Sequence, residues 1–474
     1  MLARLDRASD EHTHVDLDAA TRLVSIGIDV GSATTHFAVS ELFVGKRDPL
    51  LATKPEVLHR HLLHESPIWL TPFTDGGLID AVAIESLLQD ECETAGLALD
   101  GMDTGALICT GEAARKDNAA AISEQLAAAS GRFVCATAGH HLEAVLGAHG
   151  SGAVDASRGR ERPLVLLDVG GGTAKRTVIS NGRIRHTAAL NVGARLIAWD
   201  ADGQVVRLED AGRRIAEAAG GLDSRAAIAY RMTACLSQFL GLVRMDELTR
   251  ELLLTEAQPL PDQFDLLLSG GLAEYFYGRE PRDLGDVGLS LSHALRCELA
   301  RSFHGEILAS AKGIRATVIG AGQFTLQVSG ETVFLDGGLR PPLRKVPVQA
   351  VPWDLAGLER GGGDRPGEGP CAFAFRAPPA YGYGAATSLA QALVRTLPTL
   401  DLPRGVVLVF EHNVARTVGA ALAAARLTVP FMCLDELDVG DLEYLDVGEP
   451  VRGQDYLPVV VKSLVFQKGA THGH

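Results

Sequence analysis

The sequence predicts an α/β chain in which two similar lobes face each other across a cleft, followed by a further α/β region. Three observations predict it. Residues 165–179, VLLDVGGGTAKRTVI, read as an apolar strand ending in Asp168, a tight turn of Gly170, Gly171 and Gly172, and Thr173 leading into a second strand. Residues 24–39, VSIGIDVGSATTHFAV, repeat that grammar with Asp29 and then Gly31, Ser32, Ala33 and Thr34. A repeated supersecondary unit implies similar halves that pack together. With 474 residues, the chain also exceeds one comfortable hydrophobic core.

Both units carry the chemistry of a phosphate-binding hairpin. Glycine lets the backbone take positive φ and lets its N–H groups approach phosphate oxygens with no Cβ in the way. An Asp at the strand end reaches a hydrated Mg²⁺ that touches the same phosphates. Asp followed by Gly also ends ordinary strands, and three glycines also make a plain turn, so it is the second copy that favours phosphate. No G-x-x-x-x-G-K-[ST] occurs, which disfavours a P-loop NTPase.

An apolar fraction of 46% and a charged fraction of 22% describe an ordinary globular protein. The formal net charge of −15 argues against nucleic acid or an anionic membrane as the main partner. Seven scattered cysteines, none in a C-x-x-C, fit reduced thiols. Without a signal-peptide pattern or a run of membrane-spanning length, the expectation is a cytoplasmic protein.

Taken in order, residues 1–22 are polar and acidic and are expected to form a mobile tail; the first lobe is expected over 23–157. Within it, 80–94 show helical spacing with Val82, Leu87 and Leu88 on the apolar face, 106–110 read as a buried strand and 112–130 as an alanine-rich helix. In 134–153, small residues (Ala144, Gly147, Ala148, Gly150) at close spacing describe a helix packed tightly on another. The second lobe is expected over 158–336. It holds the hairpin signal Asn181-Gly182, a mainly helical stretch over 207–257, and a buried strand over 264–271 that closes on Gly270, Gly271 and Leu272. Residues 316–333 are expected to give a strand, then Gly320-Ala321-Gly322, then another segment. The last region, 337–474, is proline-rich at its start. It then offers a helix over 385–397, a buried strand over 405–410, a helix over 414–427 that Asn413 is placed to cap, and a β-forming end over 457–466.

The two Asp-Gly units resemble the phosphate loops of the actin, Hsp70 and sugar kinase superfamily of ATPases. Glu143-Ala-Val-Leu with Ser151-Gly152 is similar to the first interlobe helix of actin, and that resemblance puts Glu143 where a residue orients the attacking water. Gly270, Gly271 and Leu272 resemble the adenosine loop, and Gly320 and Gly322 the second connecting element, and the resemblance implies that all five bind nucleotide. The resemblance implies an actin-like fold that binds ATP and Mg²⁺, with Asp29 and Asp168 holding the metal through water.

With GIDVGSATTHFAVS in front, the C-terminal segments FEHNVARTVGAAL and LDVGEPVRGQDYLPVVVKSLVF resemble the reactivating factors of ethanolamine ammonia-lyase in bacterial ethanolamine utilisation. That resemblance implies an ATP-dependent chaperone that expels damaged cobalamin from the lyase so that adenosylcobalamin replaces it, and raises association with a bacterial microcompartment. The chain departs from superfamily usage at Ala33 and at Lys175 and Arg176, which suggests slow hydrolysis. Lys175 and Arg176 either add charge near the cleft or point to solvent. Two other classes stay open: a small-molecule kinase with Asp168 as base, and a nucleotide-binding scaffold without turnover. Homo-oligomerisation also stays open.

Overall fold

The computed structural model describes residues 20–31, 34–46, 56–74, 78–98, 101–109, 134–137, 139–310, 312–324, 326–329, 333–335, 337–355, 369–375, 383–437, 444–448 and 457–462. Most of the expected tail, Ser32, Ala33 and the helix expected over 112–130 lie outside the described residues.

The first sheet consists of β1 (Thr21–Val30), β2 (Thr34–Gly45), β3 (Glu56–Glu65), β4 (Trp69–Leu70), β5 (Thr104–Cys109) and β6 (Val134–Thr137), in the order β3-β2-β1-β5-β6 with β4 added to β2. Between β4 and β5, helix α1 (Ala81–Thr94) starts at Asp80, whose carboxylate accepts from the Ala83 N–H at 3.0 Å. Its buried face is Ile84, Leu88 and Cys92. Val82 was expected on that face and is 67% exposed, because the helix turns its i, i+4, i+8 row to the sheet.

After β6 come α2 (His140–Gly150) and the short α3 (Ala153–Ala156), and then a second sheet. Its strands are β7 (Leu164–Val169), β8 (Ala174–Ser180) and β9 (Arg183–Leu190), then, beyond the ribbon β10 (Ile197–Trp199) and β11 (Val205–Leu208), β12 (Asp265–Ser269) and β13 (Ile307–Leu308). The order β9-β8-β7-β12-β13 matches the first sheet: three antiparallel strands, then two parallel ones. This duplicated topology is the actin-like arrangement of two similar lobes. Asn181 and Gly182 join β8 to β9 with φ of 48° and 73°, as a hairpin turn with two left-handed residues requires. Helices α4 (Asp210–Ala218), α5 (Arg225–Phe239), α6 (Glu247–Glu251), α7 (Gly271–Phe276) and α8 (Gly288–Ser302) complete this part and supply much of its apolar core.

Residues 316–324 form helix α9 (Ala316–Phe324), where a strand was expected. Its β-branched and glycine-rich sequence has low helical propensity. Tertiary packing decides, because the segment is held between the backbones of α2 and β1. α9 crosses α2 so closely that a Cβ on Gly150 would overlap the Ala316 carbonyl oxygen and one on Gly320 the Leu146 carbonyl. Each crossing helix leans on the opposite sheet: α2 packs Ala148 with Leu164, Leu166 and Ile179, while α9 packs Val318 and Ile319 on Ala38. On the first sheet, Ser25 Oγ donates to the Gly322 carbonyl at 2.6 Å.

The C-terminal region is a seven-stranded mixed sheet of β14 (Leu326–Val328), β15 (Leu343–Val351), β16 (Cys371–Phe375), β17 (Val406–Phe410), β18 (Phe431–Leu434), β19 (Tyr444–Val447) and β20 (Pro458–Lys462), in the order β14-β20-β19-β15-β16-β17-β18. Helices α10 (Tyr383–Thr396) and α11 (Ala415–Ala424) pack on it. α11 is capped at Val414, with no side-chain hydrogen bond from that cap, so the expected cap at Asn413 falls one residue outside the helix end. Among the described residues no helix is long and apolar enough to cross a membrane.

Candidate functional site

The two repeated hairpins face one cleft of about 450 Å³, within the range of small-molecule sites. Each turn is closed in the same way: Gly31 N–H donates to the Thr34 carbonyl at 2.9 Å, and Gly170 N–H to the Thr173 carbonyl at 3.0 Å. In the second turn the carbonyls of Gly170 and Gly171 accept from the N–H groups of Ala194 and Arg195 at 3.0 and 2.7 Å. This occupies the carbonyls and leaves the N–H groups of Gly171 and Gly172 for an anion. The turn lies so close to Gly193 that a Cβ there would overlap it.

Of the residues expected in the site, Asp29, Gly31, Thr34, Glu143, Asp168, Gly170, Gly171, Gly172, Thr173, Gly270 and Gly271 all line this cleft. Gly270 has φ +78°, and a Cβ on it would meet the Val169 carbonyl and stand 2.8 Å from Asp168 Oδ1, so the position needs glycine. Three expected contacts are placed elsewhere. Leu272 is fully buried in the apolar core behind the cleft. Gly320 and Gly322 sit at the crossing of α9 with α2 and β1, where their lack of a side chain serves helix packing, and neither is among the residues that line the cleft.

Asp168 is buried at the end of β7, and Ser269 Oγ donates to its Oδ1 at 2.7 Å. Burial pushes its carboxyl up, and Glu143 adds to this; Lys175 and the Ser269 hydrogen bond oppose it. Glu143, in the first turn of α2, is 5% exposed. Its Oε1 accepts from the Lys175 ammonium, while its Oε2 is buried with no hydrogen-bond partner. Lys175 therefore faces the cleft. Arg176, one residue on along β8, is buried as well and points the other way, donating to the carbonyls of Phe239 and Gln258.

Other residues line the cleft without having been singled out in the sequence, among them His36, Thr317, Trp69 and Arg195. His36 stands across the ladder from Asp29. Burial, with the Arg315 charge adding to it, lowers its pKa to about 4, so it is neutral at pH 7. On the outer wall Arg195 pairs with Asp286 at 3.2 Å and Arg279 with Glu274 at 3.0 Å. Register across β1–β2 marks His36 as a neighbour of Asp29 once the hairpin is recognised; nothing in the sequence announces Thr317 or Trp69, which arrive from distant segments.

Two carboxylates at strand ends, a third on a crossing helix and two glycine turns can hold a hydrated divalent cation and a polyphosphate between the lobes. The family model described as ethanolamine utilisation protein EutA matches residues 21–360 and 364–467. The ethanolamine ammonia-lyase reactivase EutA of Salmonella typhimurium is 32% identical over 465 residues, covering 94% of this chain and 99% of that protein. The protein of the same name in Escherichia coli K12 is 31% identical over 465 residues with the same coverage. Among solved structures, the PPX-GPPA enzyme of Aquifex aeolicus aligns with a TM-score of 0.40 and 13% identity, over 63% of this chain and 99% of that one.

Proposed function

The chain belongs to the EutA family of ethanolamine utilisation proteins, and on that footing we propose that it is an ATP-dependent chaperone that reactivates ethanolamine ammonia-lyase by releasing damaged cobalamin for exchange with adenosylcobalamin. The observation that carries the reading is near full-length similarity to two proteins named as that lyase's reactivase. The cleft supplies its motor.

The residues present fit Mg²⁺ and ATP. Asp29 and Asp168 line one cleft from opposite lobes, and the second turn offers the backbone N–H groups of Gly171 and Gly172 to phosphates. Bound Mg²⁺ would neutralise phosphate charge there. Asp29 and Asp168 would hold it through water, and Glu143, whose buried Oε2 has no hydrogen-bond partner, would orient the water that attacks the terminal phosphorus. Gly270 and Gly271 let the backbone lie against the nucleoside.

Release of a tightly held cofactor requires that the chaperone bind the open lyase better than the closed one. A shift from 1:99 to 99:1 needs about 5.5 kcal/mol of differential binding. Two lobes that close on a triphosphate and open without it are a bistable element of the right kind. The crossing of α2 and α9, each packed on the other helix's sheet, is where such a motion would hinge.

The test is recovery of cyanocobalamin-blocked ethanolamine ammonia-lyase on addition of this protein and adenosylcobalamin, with ATP and Mg²⁺ supplied or withheld. Recovery that depends on ATP is the expected result. Equal recovery without nucleotide, or none with it, overturns the reading.

A further inference from the structure

Lys175 is the buried cation of the cleft. Among the described residues that line it, Arg195, Arg279 and Arg282 are 22%, 33% and 74% exposed in their side chains and each is paired with its own carboxylate, while Arg315, half-buried, donates to the Ser66 carbonyl at 2.9 Å. Lys175 is 3% exposed and reaches Glu143, 6% exposed. It stands across the β7–β8 ladder from Asp168, so its ammonium lies at the foot of the glycine turn, beside two carboxylates.

The pair is unfinished. An ammonium has three donors, and the bond to Glu143 Oε1 uses one; Glu143 Oε2 is buried and has no partner. Buried ion pairs recover their desolvation only when the remaining donors and acceptors are also met. Acceptor oxygens for Lys175 and a proton donor for Glu143 would complete the pair. A terminal phosphate and the water in line with it supply both.

Resting on the nucleotide reading of the cleft, we propose that Lys175 is its triphosphate sensor: the ammonium neutralises Glu143 while the terminal phosphate site is empty and passes to that phosphate when it is filled. Glu143 then stands as an uncompensated carboxylate against the water. The water oxygen bonds to the terminal phosphorus as the bond from that phosphorus to the bridging oxygen breaks. The electron pair stays on the departing diphosphate, and the water proton passes through Glu143 to the released phosphate. With the phosphate gone, Lys175 returns to Glu143.

The experiment is calorimetric titration of the full chain, in Mg²⁺, with ADP and with the non-hydrolysable triphosphate AMPPNP. Lys175→Met is expected to weaken AMPPNP about ten- to a hundredfold, the worth of a charge-assisted bond, and to leave ADP within about threefold. Because Lys175→Met strands a buried carboxylate, the double variant Glu143→Gln, Lys175→Met is titrated beside it and is expected to show the same selective loss. Lys175→Arg is expected to keep part of the preference. An unchanged ratio of AMPPNP to ADP affinity in the double variant overturns the proposal while the nucleotide reading stands. Wild-type protein that binds neither nucleotide removes both.

Discussion

In the first hairpin Asp29 stands across from His36 and Ile28 from Phe37; in the second, Asp168 stands across from Lys175 and Leu167 from Arg176. The turns close with the same hydrogen bond, and the sheets around them have the same strand order. The first hairpin thus backs its carboxylate with a neutral imidazole and an apolar ring. The second backs its carboxylate with two buried cations, one turned to the cleft and one to the core. A duplicated frame fixes where phosphates sit, and what lies one strand over decides which half responds to their charge.

The largest effect that can break this comparison is on turnover. Asp168→Ala is expected to lower ATP hydrolysis at least about a hundredfold with the circular dichroism of the native protein retained. Asp29→Ala should do the same if both strand-end carboxylates hold the metal. Normal turnover in Asp168→Ala contradicts the assignment of the second hairpin.

Next comes acid stability. His36 falls from 6.5 to about 4 in the folded protein, so between those values the unfolded chain binds more protons. Its contribution is complete above about pH 6.5 and is lost as pH falls to about 4, on the order of 3 kcal/mol. Chemical denaturation across that range should show the slope, and His36→Asn should flatten it; an unchanged slope contradicts the assignment.

Arg176 offers the counterpart in the second hairpin. Its guanidinium lies 4.9 Å from the Phe239 ring and donates to the Gln258 carbonyl at 2.6 Å. Arg176→Met leaves buried carbonyls unmet and is expected to cost about 2–3 kcal/mol while the AMPPNP to ADP ratio is unchanged. A change in that ratio would mean that Arg176, and not Lys175 alone, reads phosphate charge.

A smaller change is expected at the crossing of α2 and α9. Gly150→Ala forces a Cβ into the α9 backbone and should lower stability by about 1–3 kcal/mol. Gly147→Ala, whose Cβ would stand 3.5 Å from Asp168 Oδ2, fits by contrast. Equal melting temperatures for the two variants contradict the close crossing.

Much of this was legible from local pattern. The hairpins, the Asn181-Gly182 turn, the small-residue helix at 140–150 and the strand before Gly270 follow from glycine placement and apolar runs, which act over a few residues. The helix at 316–324 was not legible, because its sequence favours strand and its conformation is imposed by α2 and β1 from more than a hundred residues away. For the same reason Gly320 and Gly322, expected at the nucleotide, are found packed against the backbones of α2 and β1. Lys175 stood out as a departure, but its role hangs on Glu143, and only the crossing of α2 over β8 brings those two together.

On the proposed mechanism, one bound triphosphate engages both hairpins and draws Lys175 from Glu143. A crystal structure with AMPPNP and Mg²⁺ tests it most directly. The account predicts Lys175 Nζ within about 3 Å of a terminal phosphate oxygen, with Asp29 and Asp168 around the metal and Glu143 on the in-line water. A nucleotide bound with the Lys175–Glu143 pair intact, or held by one hairpin alone, would contradict it.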